Sequence, residues 1–426
     1  MAKDMSLKGS TKTSHRLLKL PNEILQEIAC ILSTDRDILS FSLTCREIWE
    51  RVFSPNSGIW HRRFQNQYDA PHGHSPGELK MEYQIRAIVL PQRIDSKKAH
   101  NGQKNLWMRV IQGMLVEFLT LPPSPGGVSK TYEKICNAPA MKSFLKAPAK
   151  EGSHSQVFCA LQVCLTALAL DPSISGQGCL RTDYDIGIVY SFYNRPDGRP
   201  LFGHKRLSLT TLLHMRNFWQ HHLLSPHEIT FHESFSLLPQ DLMPKAPNAN
   251  ATDEVILGTS WLGYWSCIHP IPTMVEDLER RQSCADLLSH MDQVDPMTME
   301  IDPCPAQPFW PSPFNDIIPQ VGGPQAKRSY FKGKQKTFGG DADEHPNSVV
   351  GFIEPMDVPH GGFSGWTRIC FVIYEQVTDD GYIEEENLLW IHGYEAVVIP
   401  GGNVMLGRWV DLRETSARGP VIFWGV

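Results

Sequence analysis

Between Leu17 and Trp60 the chain carries more apolar surface than its short helical segments can bury among themselves. The stretch reads LLKLPNEILQEIACILSTDRDILSFSLTCREIWERVFSPNSGIW. Pro21 suits a first helical turn, where a missing N–H costs nothing, and Glu23 suits the positive end of the helix dipole. Ile24, Leu25, Ile28, Ile31 and Leu32 then fall at i, i+1, i+4, i+7 and i+8, which predicts one apolar helical face. A second helix start is predicted at Thr34-x-x-Asp37 and a third at Thr44-x-x-Glu47, the spacing of a capping box. Ile48, Trp49, Val52 and Phe53 continue the apolar face, and Trp60 and Phe64 follow. Three short helices in about 45 residues stand near the lower limit for a self-sufficient core, so this head is expected to lend its apolar stripe to a partner.

The segment resembles an F-box. The resemblance is carried by Leu20-Pro21-x-Glu23-Ile24-Leu25, by Ile28 and Leu32, by an Asp ahead of Ile38-Leu39, by Leu43-Thr44-Cys45-Arg46, and by Trp49 and Trp60. It departs from many members in the inserted Arg36-Asp37, which alters the corner between the first two helices. F-box proteins bind a Skp-family adaptor, which docks on a cullin carrying a RING protein, while the rest of the chain holds a substrate for ubiquitination. The resemblance implies the substrate-recognition subunit of an SCF-type ubiquitin ligase. It also implies adaptor contacts at Leu20, Pro21, Glu23, Ile24, Leu25, Ile28, Leu32, Leu39, Leu43, Cys45, Trp49 and Trp60. Such a receptor performs no bond chemistry and needs no cofactor; it raises the effective concentration of a target lysine near a charged conjugating enzyme.

At 426 residues the chain is long enough for two or three domains, and 41% hydrophobic with 20% charged residues fits a folded protein. A net charge of −6 gives no reason to expect nucleic acid or an anionic membrane as the main partner. The opening MAKDMSLKGSTKTSH lacks an apolar core for a secretory signal, and no run approaches a membrane-spanning length, so a cytoplasmic or nuclear location is expected. The ten cysteines form no CxxC pair; Cys159 and Cys164 fall in an apolar run and read as buried thiols.

The expected fold class is α+β and multi-domain. It comprises a disordered tail (1–14), the three-helix F-box (15–66), a connector (67–80), a mainly helical middle (81–240), a linker (241–254) and a C-terminal antiparallel β-barrel (255–426). Within the middle, Ile186, Ile188, Tyr190 and Phe192 alternate and predict a strand, while Leu207 to Leu224 predicts a helix. Strands are predicted at 255–268, 329–331, 349–353, 366–374, 388–391, 395–399, 403–412 and 421–424, with a long loop at 275–325. Turns are predicted at Asp379-Asp380-Gly381, Pro400-Gly401-Gly402 and Arg418-Gly419-Pro420. Short strands without intervening helices predict a sandwich or closed barrel.

Glycine lies near tryptophan at both ends of this series, in Gly258-x-x-Trp261-x-Gly263-x-Trp265 and Gly407-Arg408-Trp409. This is similar to calycin-type barrels, and to F-box proteins of the fungal kind or with a cyclin-D-binding-type C-terminal domain. The resemblance implies target contact at the barrel, with Trp261, Tyr264, Trp366, Trp390, Tyr394, Arg408 and Trp409 as candidates. Arg408 is expected either to meet a carboxylate of a captured peptide or to stack on Trp409.

Enzyme signatures are missing. His227-Glu228 and His232 stand one residue too far apart for two imidazoles to share a metal from one helical face. Gly362-Phe363-Ser364-Gly365-Trp366 lacks the last glycine of a nucleophile elbow, and Gly322 to Lys327 has no phosphate-loop spacing. His221-His222 is expected to serve the C-terminus of a helix. No catalytic residue and no metal site follow. Two other readings remain open: a barrel that senses a small apolar molecule, with the F-box controlling turnover, and an adaptor-bound scaffold acting outside a cullin ligase.

Overall fold

The computed structural model describes residues 16–54, 57–69, 73–94, 101–121, 129–150, 154–175, 179–191, 201–203, 206–247, 256–267, 294–317, 327–340, 345–376, 388–413 and 417–426. The expected tail at 1–14 and the turn expected at 379–381 lie outside them. Helices α1 (Asn22–Ile31), α2 (Asp35–Ser42), α3 (Arg46–Val52) and α4 (Gly58–Gln67) open the fold. Each of the first three buries one narrow ridge at i, i+4 spacing: Leu25 with Ala29, Ile38 with Ser42, Ile48 with Val52. The capping box at Thr34 forms, its hydroxyl accepting from Asp37 N and the Asp37 carboxylate accepting from Thr34 N. The box expected at Thr44 does not. The Thr44 hydroxyl donates instead to the Phe41 carbonyl at 2.7 Å and closes α2, so α3 starts at Cys45 with no side-chain cap.

The expected connector shrinks, because Ser75 and Glu78 form a capping box that starts α5 (Pro76–Val89) within it. Nor does the core break at residue 66. Arg63 and Tyr83 both reach Asp35, at 2.9 and 2.7 Å, and one buried cluster runs from Ala29 through the helices to Trp424. The helical part continues with α6 (Asn101–Thr120), α7 (Lys130–Cys136), α8 (Met141–Leu145), α9 (Gln156–Cys164), α10 (Thr166–Ala169), α11 (Pro172–Ser175), α12 (Ile186–Val189), α13 (Leu209–Leu224) and α14 (Ile229–Ser236). Cys159 and Cys164 are buried free thiols of α9, as expected. The strand expected over 186–192 is instead the helical turn α12, because the Asp185 carboxylate accepts from Gly187 N and Ile188 N and caps it. Helix α13 is enclosed on nearly every side. Its buried Arg216 donates to the Leu145 carbonyl at 2.7 Å and to Gln220 at 2.9 Å, and burial lowers the guanidinium to about 10.

Strands β1 (Phe202–Gly203) and β2 (Arg206–Leu207) form a small ribbon. The C-terminal region is a closed, antiparallel, eight-stranded barrel: β3 (Ser260–Trp265), β4 (Met297–Cys304), β5 (Ser329–Thr337), β6 (Asn347–Pro355), β7 (Thr367–Gln376), β8 (Leu388–Val398), β9 (Val404–Asp411) and β10 (Arg418–Gly425). Neighbours in sequence pair in order, and β10 closes on β3 with Val421 opposite Trp265. Three expectations change here. Strand β4 lies inside the expected 275–325 loop, its Met297, Met299 and Ile301 alternating inward. The two strands expected at 388–391 and 395–399 are one, since nothing between them breaks the pairing with β9. Arg418-Gly419-Pro420 pairs within β10 rather than turning. The turn at Gly401-Gly402 does form, with φ of 100° and 68° that favour glycine. The expected linker begins as packed structure: Trp424 Nε1 donates to the Leu242 carbonyl at 2.8 Å, and Asn403 donates to that of Lys245.

Inward residues fill the barrel: Trp261, Phe331, Phe371, Tyr394 and Phe423 belong to one buried cluster, with Phe371 and Tyr394 stacked at 4.6 Å. The outer wall has three environments. Leu262, Tyr264, Leu406 and Ile422 join the helical core, and Val350, Phe352 and Val372 lie under Trp310 and Phe314. On β4 and β5, Glu300, Asp302, Lys332, Lys334 and Lys336 face solvent. Wall curvature depends on close backbone approach at glycine. A Cβ on Gly263 would lie 2.2 Å from the Ile422 carbonyl oxygen, whereas one on Gly113 in α6 meets nothing within 4 Å. We expect Gly263→Ala to cost about 1–3 kcal/mol and Gly113→Ala to add roughly 0.5–1 kcal/mol, read as opposite shifts of the urea midpoint.

Candidate functional site

Beside each buried ridge of α1–α3 lie apolar side chains that no described residue covers. On α1, Ile24 and Ile31 are 46% and 79% exposed, with half-buried Ile28 between them. Leu39 and Leu43, at i, i+4, are 43% and 67% exposed, and Trp49 of α3 is 41% exposed. Pro21 and Glu23 are exposed, and Leu20, Leu32 and Cys45 are half-buried. Two of the nominated contacts are not on this surface. Leu25 packs beneath α1, and Trp60 is held inside by Nε1 donating to the Val52 carbonyl at 2.9 Å. They build the head rather than face a partner. The helices keep their arrangement through polar ties, among them Arg51 donating to the Leu20 carbonyl at 3.3 Å. A single exposed leucine is ordinary, but five large apolar side chains exposed within 26 residues make this face a candidate binding surface.

The nominated target contacts divide differently. Trp261 and Tyr394 fill the barrel. Tyr264 faces outward to α14, its hydroxyl 3.1 Å from Ser234 Oγ, and Trp366 is buried with Nε1 donating to the Phe363 carbonyl. These four cannot touch a target. Trp409 is buried as well, its Nε1 donating to the Ser266 carbonyl at 2.8 Å, and Trp390 is half-buried. With Trp265 and His392 they form a row of rings at one barrel end, with centroids 5.0, 4.8 and 4.7 Å apart in the order Trp265, Trp409, His392, Trp390. Trp265 and Trp390 are half-buried, and Trp390 Nε1 donates to Glu375 at 2.8 Å.

Arg408 does neither thing expected of it. Neighbours on a strand point to opposite faces, so Trp409 turns inward and Arg408 outward. There Arg408 donates to the Ile188 carbonyl at 3.0 Å and to Ser191 Oγ at 3.1 Å, pinning α12 to the wall. Glu395 lies opposite it on β8 and accepts from Arg368 Nε at 3.0 Å, all three side chains buried. Burial pushes the Glu395 carboxyl well above its ordinary range against the pull of Arg408, and lowers Arg408 to about 10.

Sequence reasoning kept His221 and His222 apart from Glu228, which the fold unites. Glu228 sets Oε1 3.2 Å from His221 Nε2 and Oε2 3.0 Å from His222 Nδ1, and these two contacts hold its carboxyl below the usual range. His232, the other half of the rejected motif, contacts the Leu223 carbonyl instead. The turn that brings a glutamate back onto the preceding helix leaves no periodic mark in a sequence.

Burial pushes His392 down to about 4, opposed by Asp411 at 3.9 Å. In the unfolded chain a histidine titrates near 6.5, so below that pH the unfolded state takes up a proton that the folded state excludes. Stability is therefore full above about pH 6.5 and falls progressively towards pH 4, by up to about 3 kcal/mol from this residue. Urea titrations between pH 7 and 5 should show a shallower loss in His392→Gln than in the parent chain.

Neither family models, nor curated proteins, nor solved structures match this chain. Among the described residues, no helix is long and apolar enough to cross a membrane.

Proposed function

We propose that this chain is the substrate-recognition subunit of an SCF-type ubiquitin ligase, with α1–α3 as an F-box that docks on a Skp-family adaptor. The uncovered ridge of Ile24, Ile31, Leu39, Leu43 and Trp49 carries the reading, because those residues fall within or beside the Leu-Pro-x-Glu-Ile-Leu and Leu-Thr-Cys-Arg signatures. A second buried ridge keeps the head folded while the first stays free, which is what a docking module requires. The adaptor in turn joins the chain to a cullin and its RING protein. The target is read at the barrel end where half-buried Trp265, Trp390 and His392 line up around the buried Trp409, since aromatic rings supply much contact area at small entropic cost. A barrel packed with its own side chains favours recognition of a protein surface over capture of a small apolar ligand.

The test is co-purification of the tagged full chain with a Skp-family adaptor and a cullin. Recovery of both supports the ligase, adaptor without cullin supports a scaffold, and recovery of neither refutes the F-box reading.

A further inference from the structure

The proposed ligase role makes no use of the convergent donor set where α13 ends. His221 and His222 sit in its last turn; Ser225 N donates to the His221 carbonyl and Glu228 N to that of Ser225, folding the glutamate back on the helix. The two imidazole planes stand at 82°, so both nitrogen edges can face one point. One ligand atom from each of His221, His222 and Glu228 lies within 4.8 Å of the others.

Hydrogen-bond accounting shows what this point wants. His221 Nδ1 lies 2.7 Å from the Cys179 carbonyl oxygen and Nε2 lies 3.2 Å from Glu228 Oε1. Both oxygens are acceptors, and a neutral imidazole has one N–H to offer. Glu228 adds a second oddity: it occupies the N-cap of α14, yet its carboxylate caps no backbone N–H and turns to the histidines.

We propose that His221, His222 and Glu228 bind one divalent transition-metal ion, zinc by the chemistry of the donors. With Nε2 of His221 on the ion, its Nδ1–H donates to the Cys179 carbonyl. With Nδ1 of His222 on the ion, its Nε2–H donates to the Tyr184 hydroxyl oxygen at 3.0 Å. Each ligating ring then has its far nitrogen anchored by an oxygen, the arrangement that orients metal-bound histidine. Bonds of about 2.0–2.1 Å in tetrahedral geometry separate ligand atoms by about 3.3 Å. His221 Nε2 lies 3.2 Å from Glu228 Oε1 and His222 Nδ1 lies 3.0 Å from Oε2, so a turn of the carboxylate brings one oxygen to an ion held by both rings. Two imidazoles and one carboxylate suit zinc, whereas calcium and magnesium prefer all-oxygen shells. The ion clamps the end of α13 to the start of α14, whose Phe231 and Phe235 rings pack on Tyr264 and Trp424 of the barrel. Three protein donors leave the fourth tetrahedral position to water.

The test uses the full chain, stripped with a chelator and titrated with zinc against a chromophoric competitor. One zinc per chain is expected, bound at least 100-fold more weakly by Glu228→Gln and by His221→Gln but not by His232→Gln. Zinc should raise the melting midpoint of the parent chain and leave that of Glu228→Gln unmoved. Cobalt should give ligand-field bands of a four-coordinate site without thiolate charge transfer, a readout on the parent chain that holds even where a variant does not fold. Less than one zinc per chain, equal binding by the folded variants, or a thiolate band would each overturn the assignment.

Discussion

Replacing Leu43 with aspartate and Trp49 with alanine is expected to abolish capture of a Skp-family adaptor, weakening it roughly 100-fold or more. Both side chains are exposed in the free chain, and neither belongs to the head's own core of Leu25, Ala29, Ile38, Ile48 and Val52; within the head, truncating Trp49 gives up its 4.2 Å ring contact with Phe53. In the proposed complex they become buried. A carboxylate at position 43 then loses its hydration against an apolar surface that offers no partner, and truncating Trp49 removes a large aromatic contact. Calorimetry with purified adaptor measures the effect, and circular dichroism should show unchanged helix content. Ile88→Asp supplies the control: this residue of α5 is also exposed, but it lies outside the head and should leave binding intact. Undiminished adaptor binding by Leu43→Asp/Trp49→Ala would refute the F-box reading.

A comparably large effect is expected at Glu395, this time on stability. Its carboxylate lies between Arg368 and Arg408 in the seam where the barrel wall meets α12 and β1, and the Arg368 guanidinium lies 4.9 Å from the Phe202 ring centre. Glu395→Ala leaves guanidinium charge buried without its counter-charge, at a cost of about 3–5 kcal/mol. Changing Arg368 to Met together with Glu395 to Leu removes the directly bonded pair and fills the same space, while Arg408 keeps its bonds to the Ile188 carbonyl and Ser191. That double variant should recover at least half of the loss, since burying two charges consumes much of what their attraction returns. Urea unfolding of the two variants decides it: equal destabilisation would mean that the pair itself, not the orphaned charge, holds the seam.

The head was legible because its instructions are local. Thr34 and Asp37 form their capping box from side chains three residues apart, and Gly401-Gly402 turns because glycine tolerates positive φ. Failures arose where a local pattern competed with a contact it could not foresee. Ile186 and Ile188 alternate like a strand, yet the Asp185 cap coils them. Thr44 had the spacing for α3 but was taken by the Phe41 carbonyl of α2. Strand β4 was readable in the alternation of Met297, Met299 and Ile301, and Pro296 just before it and Pro303 within it hid it.

By itself the sequence determined that helices open the chain, how their apolar residues repeat, and that the C-terminal region is antiparallel, since hydrogen bonding and side-chain periodicity act over a few residues. Only the tertiary structure decided which apolar ridge is covered. Leu25 and Ile24 are adjacent and equally greasy, and the packing of α3 and α4 against one side alone separates them. The same holds for Trp261 and Tyr264, inside and outside one wall, and for Glu395 and Glu228, whose partners arrive from other strands or a folded-back turn. Burial belongs to the neighbours a residue meets, and those neighbours are chosen by the whole chain.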